Sequence, residues 1–594
     1  MTSINEKDWG PQDVHVESVS KELTDVEKKS ELVEESDEDG EVTFKTKLAI
    51  FVRESLGQRL NNTDHSLQTL IIMYESYLFT QQMPAALLAY INADLGPDNR
   101  YPWIAISWNL GAAVIVTIGS RLSDIIGRRW FLIFGAASGA IGALVGATSQ
   151  SITQSIVSGV IFGVGGGFQE MCFACAQELV PKKYRFKTLG YMIFANHLSA
   201  SAILIGYAFV AYTTPKWRSA YWWCFAWELF AAILLFCFYH PPSFVTKHKE
   251  DRKTKWQLVK EIDYIGLILF TTGCVFILLG LNWGGTFHPW NSSWTVGIIV
   301  AGGVCLIILG FWEAYMPLAY PILPPHLFVQ WRRFTSYLVV CFVAGMLLYS
   351  LNVIWPLQST LLFIPQNQTI IRGVYASLGS YGIILAGYYC VFVMHWLKHE
   401  KTQVIVLLCI VTALLGSMAS VGIDDKVQAI VTVVLVQGAN LPINPLSFGM
   451  VGMHLQDQTD IGFAVGLLST FRLIGGAIST AIYTSIQSNR FASVLPGAVL
   501  SAVESSNFTG SFTQLLEAAK VNTAAAYAAV PDITNQTIVA TELAVKQAHV
   551  KAYALIYLVA ISFGCVAILA ATSIKGVDEN QRTSEVAAHL EDDH

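Results

Sequence analysis

The sequence predicts an all-α polytopic membrane protein of about fourteen transmembrane helices. Three observations carry that expectation. Of 594 residues, 53% are hydrophobic and only 13% charged, about half the charge of a soluble chain. The apolar residues gather in runs of about twenty, each long enough as a helix to cross a hydrocarbon core of roughly 30 Å. Between these runs, lysine and arginine recur in alternate loops. The net charge of −6 says little, because the acidic excess lies largely in one tail. The ten cysteines fall inside apolar runs and form no disulfide framework. Cys172 and Cys175 make a C-x-x-C, but within a span, where they read as small packing residues rather than a redox or metal pair.

Taken in order, residues 1–65 read as a disordered acidic cytoplasmic tail, centred on Glu31–Glu41, with no cleavable signal in front. The first span is placed at Ser66–Ile91, the second at Pro102–Leu122, the third at Trp130–Thr148 and the fourth at Ile152–Leu179. A basic loop, Pro181–Lys187, leads to the fifth, Thr188–Tyr212, and the sixth is Ser219–Phe238. A basic linker, 240–261, follows, with Lys247, Lys249, Arg252, Lys253 and Lys255. The seventh and eighth spans are Ile262–Leu281 and Trp294–Met316. The next four are Phe334–Pro356, Val374–Leu397, Thr402–Val421 and Val427–Phe448. The thirteenth is Ile461–Ile486. A long external loop, 487–550, precedes the last, Ala552–Ser573, and 574–594 is a cytoplasmic tail.

The positive-inside rule places the basic loops, and with them both termini, in the cytoplasm. The opposite loops carry the glycosylation sequons at Asn291, Asn367, Asn507 and Asn535. Tyrosine and tryptophan cluster at span ends, as interface anchors do. The plasma membrane is the expected location, with a vacuolar or vesicle membrane as the alternative.

Polar residues inside spans are costly and face a cavity or a partner. Tyr74, Tyr77 and Gln81 share one face of the first span, with Glu75 on the adjacent stripe. The fourth span holds Gln169 and Glu170, and Gly163 to Gly167 there permit close helix approach. The fifth has Asn196 and His197, the ninth Asn352 and Trp355, the twelfth Asn440 and Asn444, and the thirteenth Arg472. A shared central cavity would bring these together. Glu75, Glu170 and His197 can change protonation and are the proton-coupling candidates; the bland alternative is interhelical glue. Arg472 can equally pair with a carboxylate and lock the bundle, and Glu178 reads as a gate or loop partner. No phosphate loop, hydrolase motif or spaced metal-ligand set occurs, so no enzyme, cofactor or metal site is expected.

The loop Ser120–Arg129 holds Leu122, Ser123, Asp124, Gly127, Arg128 and Arg129 between two spans. This spacing resembles the signature of the major facilitator superfamily between its second and third helices. Ser120 and Ile125 depart from it. Leu281–Gly285 with His288–Ser292, Phe162–Glu170 with Glu178–Arg185, and Tyr349–Gln358 are similar to the fungal fourteen-span group of trichothecene efflux pumps and siderophore–iron transporters. The resemblance covers about Ser66 to Lys575. The helix-four arginine and helix-five proline–glycine signature of drug–proton antiporters are missing, so proton coupling would fall to Glu75, Glu170 and His197.

The resemblance implies two six-helix halves, 66–239 and 317–573, around a central cavity, with two inserted helices at 262–316 and alternating access. It makes Leu122, Asp124, Gly127, Arg128 and Arg129 a gate motif. The expected activity is proton-coupled efflux of a toxin or secondary metabolite. Proton-coupled siderophore–iron uptake and a non-transporting sensor are the rivals. The expected partners are a small organic substrate, protons and the lipid bilayer, with no nucleic acid.

Overall fold

The computed structural model describes residues 61–98, 100–180, 184–240, 260–284, 289–316, 318, 321–323, 325–364, 368–455, 461–506, 508, 510–531 and 533–577. Regular structure among these is helical throughout, because a chain inside a bilayer must satisfy its backbone groups within each segment. Thirteen helices among the described residues are long and apolar enough to cross a membrane. The remaining expected span, the first, is a 26-residue helix, α1 (Asn61–Ala86). Its mid-part carries Tyr74, Glu75, Ser76, Tyr77, Gln81 and Gln82, which lowers its hydropathy, yet its side chains from Ser66 onward are largely buried. It is therefore shielded by its neighbours rather than by lipid.

After α2 (Leu88–Leu95) come α3 (Trp103–Ile126), α4 (Arg128–Ala147) and the fourth span, which is broken into α5 (Ile152–Gln169) and α6 (Cys172–Glu178). The fifth span is also split, into α7 (Arg185–Ala195) and α8 (Ala202–Tyr212), with a short 3₁₀ turn between them, and α9 is Arg218–Phe238. Then follow α10 (Tyr264–Trp283), α11 (Ser293–Tyr315), α12 (Ser336–Leu362), α13 (Thr369–Ser377), α14 (Gly382–Tyr388), α15 (Glu400–Ala419), α16 (Lys426–Asn440) and α17 (Ile443–His454). The series closes with α18 (Ile461–Ser506), α19 (Phe512–Val521), α20 (Ala524–Ala528) and α21 (Asn535–Ser573).

The spans before residue 240 meet those after residue 330 along two seams. In one, α3 packs on α18, with Thr117 and Thr470 hydroxyls 2.5 Å apart. In the other, α7 and α8 pack on α14 and α13. The pair α10–α11 lies beside the first seam. Phe270, Cys274 and Leu309 share a buried cluster with Val114 of α3, and Ile474 of α18 packs against it. The outer face of α11 exposes Val296, Val300, Val304, Ile307 and Phe311, an apolar stripe suited to lipid tails and to little else.

The segment expected as a long loop at 487–550 is largely helical. The 46 residues of α18 span about 69 Å, more than twice the hydrocarbon core. Beyond Ile486 the helix runs on into a cap built with α19, α20 and the start of α21. Leu495, Val499, Leu515, Tyr527, Val530 and Val545 form its core. Thr534 caps α21 by accepting from the Thr537 N–H, satisfying one of the orphan donors at a helix start.

Candidate functional site

The break in the fourth span is the centre of the site. There α5 ends at Gln169 and α6 resumes at Cys172, placing the Glu170 carboxylate toward α18. Arg472 of α18 donates from Nη2 to Glu170 Oε1. Both side chains are buried, at 2% and 0% exposure. Ser469, one helical turn earlier, donates to the same oxygen at 3.3 Å. The guanidinium also lies over the rings of Tyr349 (5.6 Å) and Phe448 (5.9 Å), aromatic faces that attract a cation electrostatically. A buried charge pair with added hydrogen bonds recovers part of the desolvation cost of bringing it there.

A cavity of about 30 Å³ adjoins this pair, room for about two waters. It is lined by Tyr74, Tyr77, Gln81 and Gln82 of α1, Tyr349 and Asn352 of α12, Ser380, Gln437 of α16 and Arg472. Tyr74 and Tyr77 stack at 5.3 Å, and the Tyr77 and Tyr349 hydroxyls approach to 3.3 Å. Gln437 donates to the Asn352 amide oxygen at 2.9 Å. The cavity wall is thus aromatic rings interleaved with amides. Hydrogen bonds join the two sets of spans on either side of the Glu170–Arg472 pair. At the Gly127 end of the bundle, Arg185 Nη1 donates to the Gly452 carbonyl at 2.7 Å. At the cavity wall, Ser380 donates to Gln82 Oε1 at 3.5 Å.

Of the substrate-cavity residues read from the sequence, Tyr74, Tyr77, Gln81, Asn352 and Arg472 line this cavity. The others sit outside that lining. Gln169 donates to Glu228, and Asn196 donates to the Met192 carbonyl within the fifth-span break. Trp355 donates to the Tyr375 carbonyl at 2.8 Å and Asn440 to that of Ala344 at 3.0 Å. The side-chain amide of Asn444 is buried with no hydrogen-bond partner among the described residues. Of the three proton-coupling candidates, only Glu170 faces Arg472. Glu75 is buried beside Ser199, and His197 stacks edge-on against Phe194 at 4.6 Å.

The loop between the second and third spans is tightened at Gly127, whose φ of 118° is open to glycine and strained for other residues. Arg128 makes a two-pronged ion pair with Glu178, at 2.7 and 2.5 Å. Arg129 donates to the Phe236 carbonyl at 2.6 Å. Leu122 is half-buried. Both arginines therefore tie spans of the N-terminal set to one another. Contacts that reach the other set come from Arg185 and from Arg121, whose guanidinium lies 5.3 Å from the Phe463 ring centre. The Asp124 side chain lies outside the described residues. Asn291 and Asn535 are exposed, while Asn367 and Asn507 fall outside the described residues.

Sequence reasoning passed over Glu228. It is fully buried mid-way along α9, and the rule that singled out Glu170, a lone carboxylate inside an apolar run, applies to it equally. Ser380 was missed as well, since a serine in a span has no signal of its own.

Residues 65–593 match the family model of the fungal trichothecene efflux pump. The trichothecene efflux pump of Fusarium sporotrichioides is 29% identical over 508 residues, 84% of each chain. That of Trichoderma arundinaceum is 26% identical, covering 85% of this chain and 84% of its own. A solved structure of a proton-dependent oligopeptide transporter superposes with a TM-score of 0.51 at 13% identity, covering 86% of this chain and 99% of that one. This last likeness is one of fold. The fold and the relatives are those of transporters of the major facilitator superfamily, not of enzymes.

Proposed function

The chain belongs to the fungal trichothecene efflux pump family of the major facilitator superfamily, and from that premise we propose that it exports a bulky, oxygen-bearing organic toxin or secondary metabolite by proton-coupled alternating access. The halves of this machine are 66–239 and 317–573, with 262–316 as the insert. It works in the plasma membrane with both termini in the cytoplasm. The observation that supports this best is the Glu170–Arg472 pair, which joins the two sets of spans beside the cavity. Protonating Glu170 removes its charge and releases Arg472, which weakens the bridge. Losing the proton restores it. A bridge between halves that responds to protonation is the bistable element alternating access requires. The aromatic wall suits an apolar polycyclic body, and the amides of Gln81, Gln82, Asn352 and Gln437 suit its hydroxyl and ester oxygens. Trichothecenes, which the named relatives export, have this character.

Yeast cells with and without the chain, loaded with a labelled trichothecene or a ferric siderophore, test the reading. Expression is expected to lower cellular toxin, and collapsing the pH gradient to abolish the difference. Unchanged toxin with raised siderophore iron would overturn export in favour of uptake.

A further inference from the structure

Glu228 is a second buried carboxylate of the membrane interior, and it has no part in the Glu170–Arg472 pair. Its exposure is 0%. Gln169 Nε2 donates to Oε2 at 2.6 Å, and the Ser76 hydroxyl lies beside it. Oε1 has no partner, and no lysine, arginine or histidine pairs with the group, among the described residues. The space is shaped around the carboxyl: a methyl group at Gly139 of α4 would fall 2.5 Å from its carboxyl carbon. Among the described residues, the groups facing it from α1, α4, α5, α6 and its own helix include Ser76, Gly139, Gln169, Cys172 and Cys224, none of them cationic. An isolated carboxylate in such surroundings is far costlier than the neutral acid.

Its donor is also the neighbour of the central pair. Gln169 and Glu170 are consecutive at the fourth-span break, and consecutive helical side chains point about 100° apart. One hinge therefore aims an amide at Glu228 and a carboxylate at Arg472. Movement of α6 and α18 that parts Glu170 from Arg472 acts on the same two-residue joint that supports Glu228.

Resting on the proton-coupled reading above, we propose that Glu228 is a second proton-binding site of the transport cycle, coupled through Gln169 to the Glu170–Arg472 bridge. In the closed arrangement the acid keeps its proton. When the bridge parts and water reaches the pocket, the acid gives that proton to water, leaving a hydrated carboxylate and a hydronium ion. Reprotonation from the opposite side precedes the next closure. Glu228 thus serves as a proton carrier, and Gln169 as the positioning residue.

Two measurements on the full chain reconstituted in lipid vesicles test this. Infrared spectra at neutral pH, with no substrate present, are expected to show a carboxylic-acid C=O band that disappears in E228Q. A spectrum unchanged by E228Q overturns the proposal, since the group is then not a neutral acid. A trichothecene added as probe is expected to move protons through the wild type, with at least a tenfold loss in E228Q. Proton movement equal in the two overturns the site but leaves the proton-coupled reading standing. No movement in the wild type overturns that reading and the carrier role with it. Should E228Q not reach the membrane, Q169L replaces it: without its amide donor the carboxylate is less stable, and the midpoint of pH-dependent transport is expected to rise by about one pH unit. An unchanged midpoint overturns the coupling.

Discussion

Arg472 and Glu170 stand 302 residues apart in the chain and meet as a buried ion pair. Each is the other's main compensation for lost hydration, so they stand or fall together. Replacing Arg472 by methionine leaves a carboxylate that must stay uncompensated or take up a proton, at an expected cost of about 3–5 kcal/mol. Replacing both by methionine is expected to recover most of that loss, because the desolvation cost leaves with the charges. Thermal unfolding of the two variants in detergent checks this order. E170Q keeps an acceptor for Arg472 but no counter-charge, so it should cost stability as well. Among the molecules that reach the surface, pH-dependent flux should be abolished, as read by transport normalised to surface protein across a range of pH.

Two arginines near the Gly127 end have different expected effects. Arg185 crosses between the sets of spans to the Gly452 carbonyl, whereas Arg128 pairs with Glu178 inside one set. R185A should open that end of the transporter, shifting the equilibrium by about 1.5–3 kcal/mol, the value of a charged hydrogen bond. R128A should lower the melting temperature and leave the opening unchanged. Spin-label distances between α7 and α17 separate the two outcomes.

The helical cap has a small core of its own. Leu515 is fully buried within it, so L515A should cost about 2–5 kcal/mol. That loss is expected to fall on the cap rather than on the bundle. Hydrogen exchange should accelerate over residues 510–531 while α12 and α18 below Ile486 keep their protection.

Asp94 and Arg218 form a partly exposed ion pair at the end of the bundle away from Gly127, 2.6 Å apart. The hydrogen bond from Arg218, with a second from Trp217, holds the Asp94 carboxyl below its usual range. A depressed folded value means stability that is present above the unfolded value, near 3.9, and is lost as the pH falls through the folded one. D94N should remove that part of the acid loss. With side-chain exposures of 30% and 42%, the effect should stay well under about 1 kcal/mol, and melting curves from about pH 3 to 7 measure it.

Much of the fold was legible because hydropathy is a local property. Apolar runs marked where helices cross, and their observed bounds mostly differ from the expected ones by a few residues. The first span was legible too, although it is poorer in apolar residues because protein surrounds it, so that its pattern is one of interior contacts rather than lipid contacts. The misreading of the cap has a physical reason. The cap was taken for a loop because its serines, threonines and asparagines interrupt the apolar run, although Phe491, Leu495 and Val499 already repeat at the helical period. At the site, cost singled out Glu170, since a carboxylate inside an apolar run demands a partner or a purpose. The same logic reached Arg472 but passed over Glu228.

By itself, then, the sequence determined that this chain is a helical membrane protein, roughly where it crosses, and which polar residues are too expensive to be accidental. Only the tertiary structure decided who meets whom. It joined Glu170 to Arg472, turned Gln169 toward Glu228, and set Arg128 on Glu178 rather than across the seam. The reason is that burial cost is a property of one residue in its own segment, whereas pairing depends on how distant helices are packed. A single sequence carries the first plainly and encodes the second only through the whole fold.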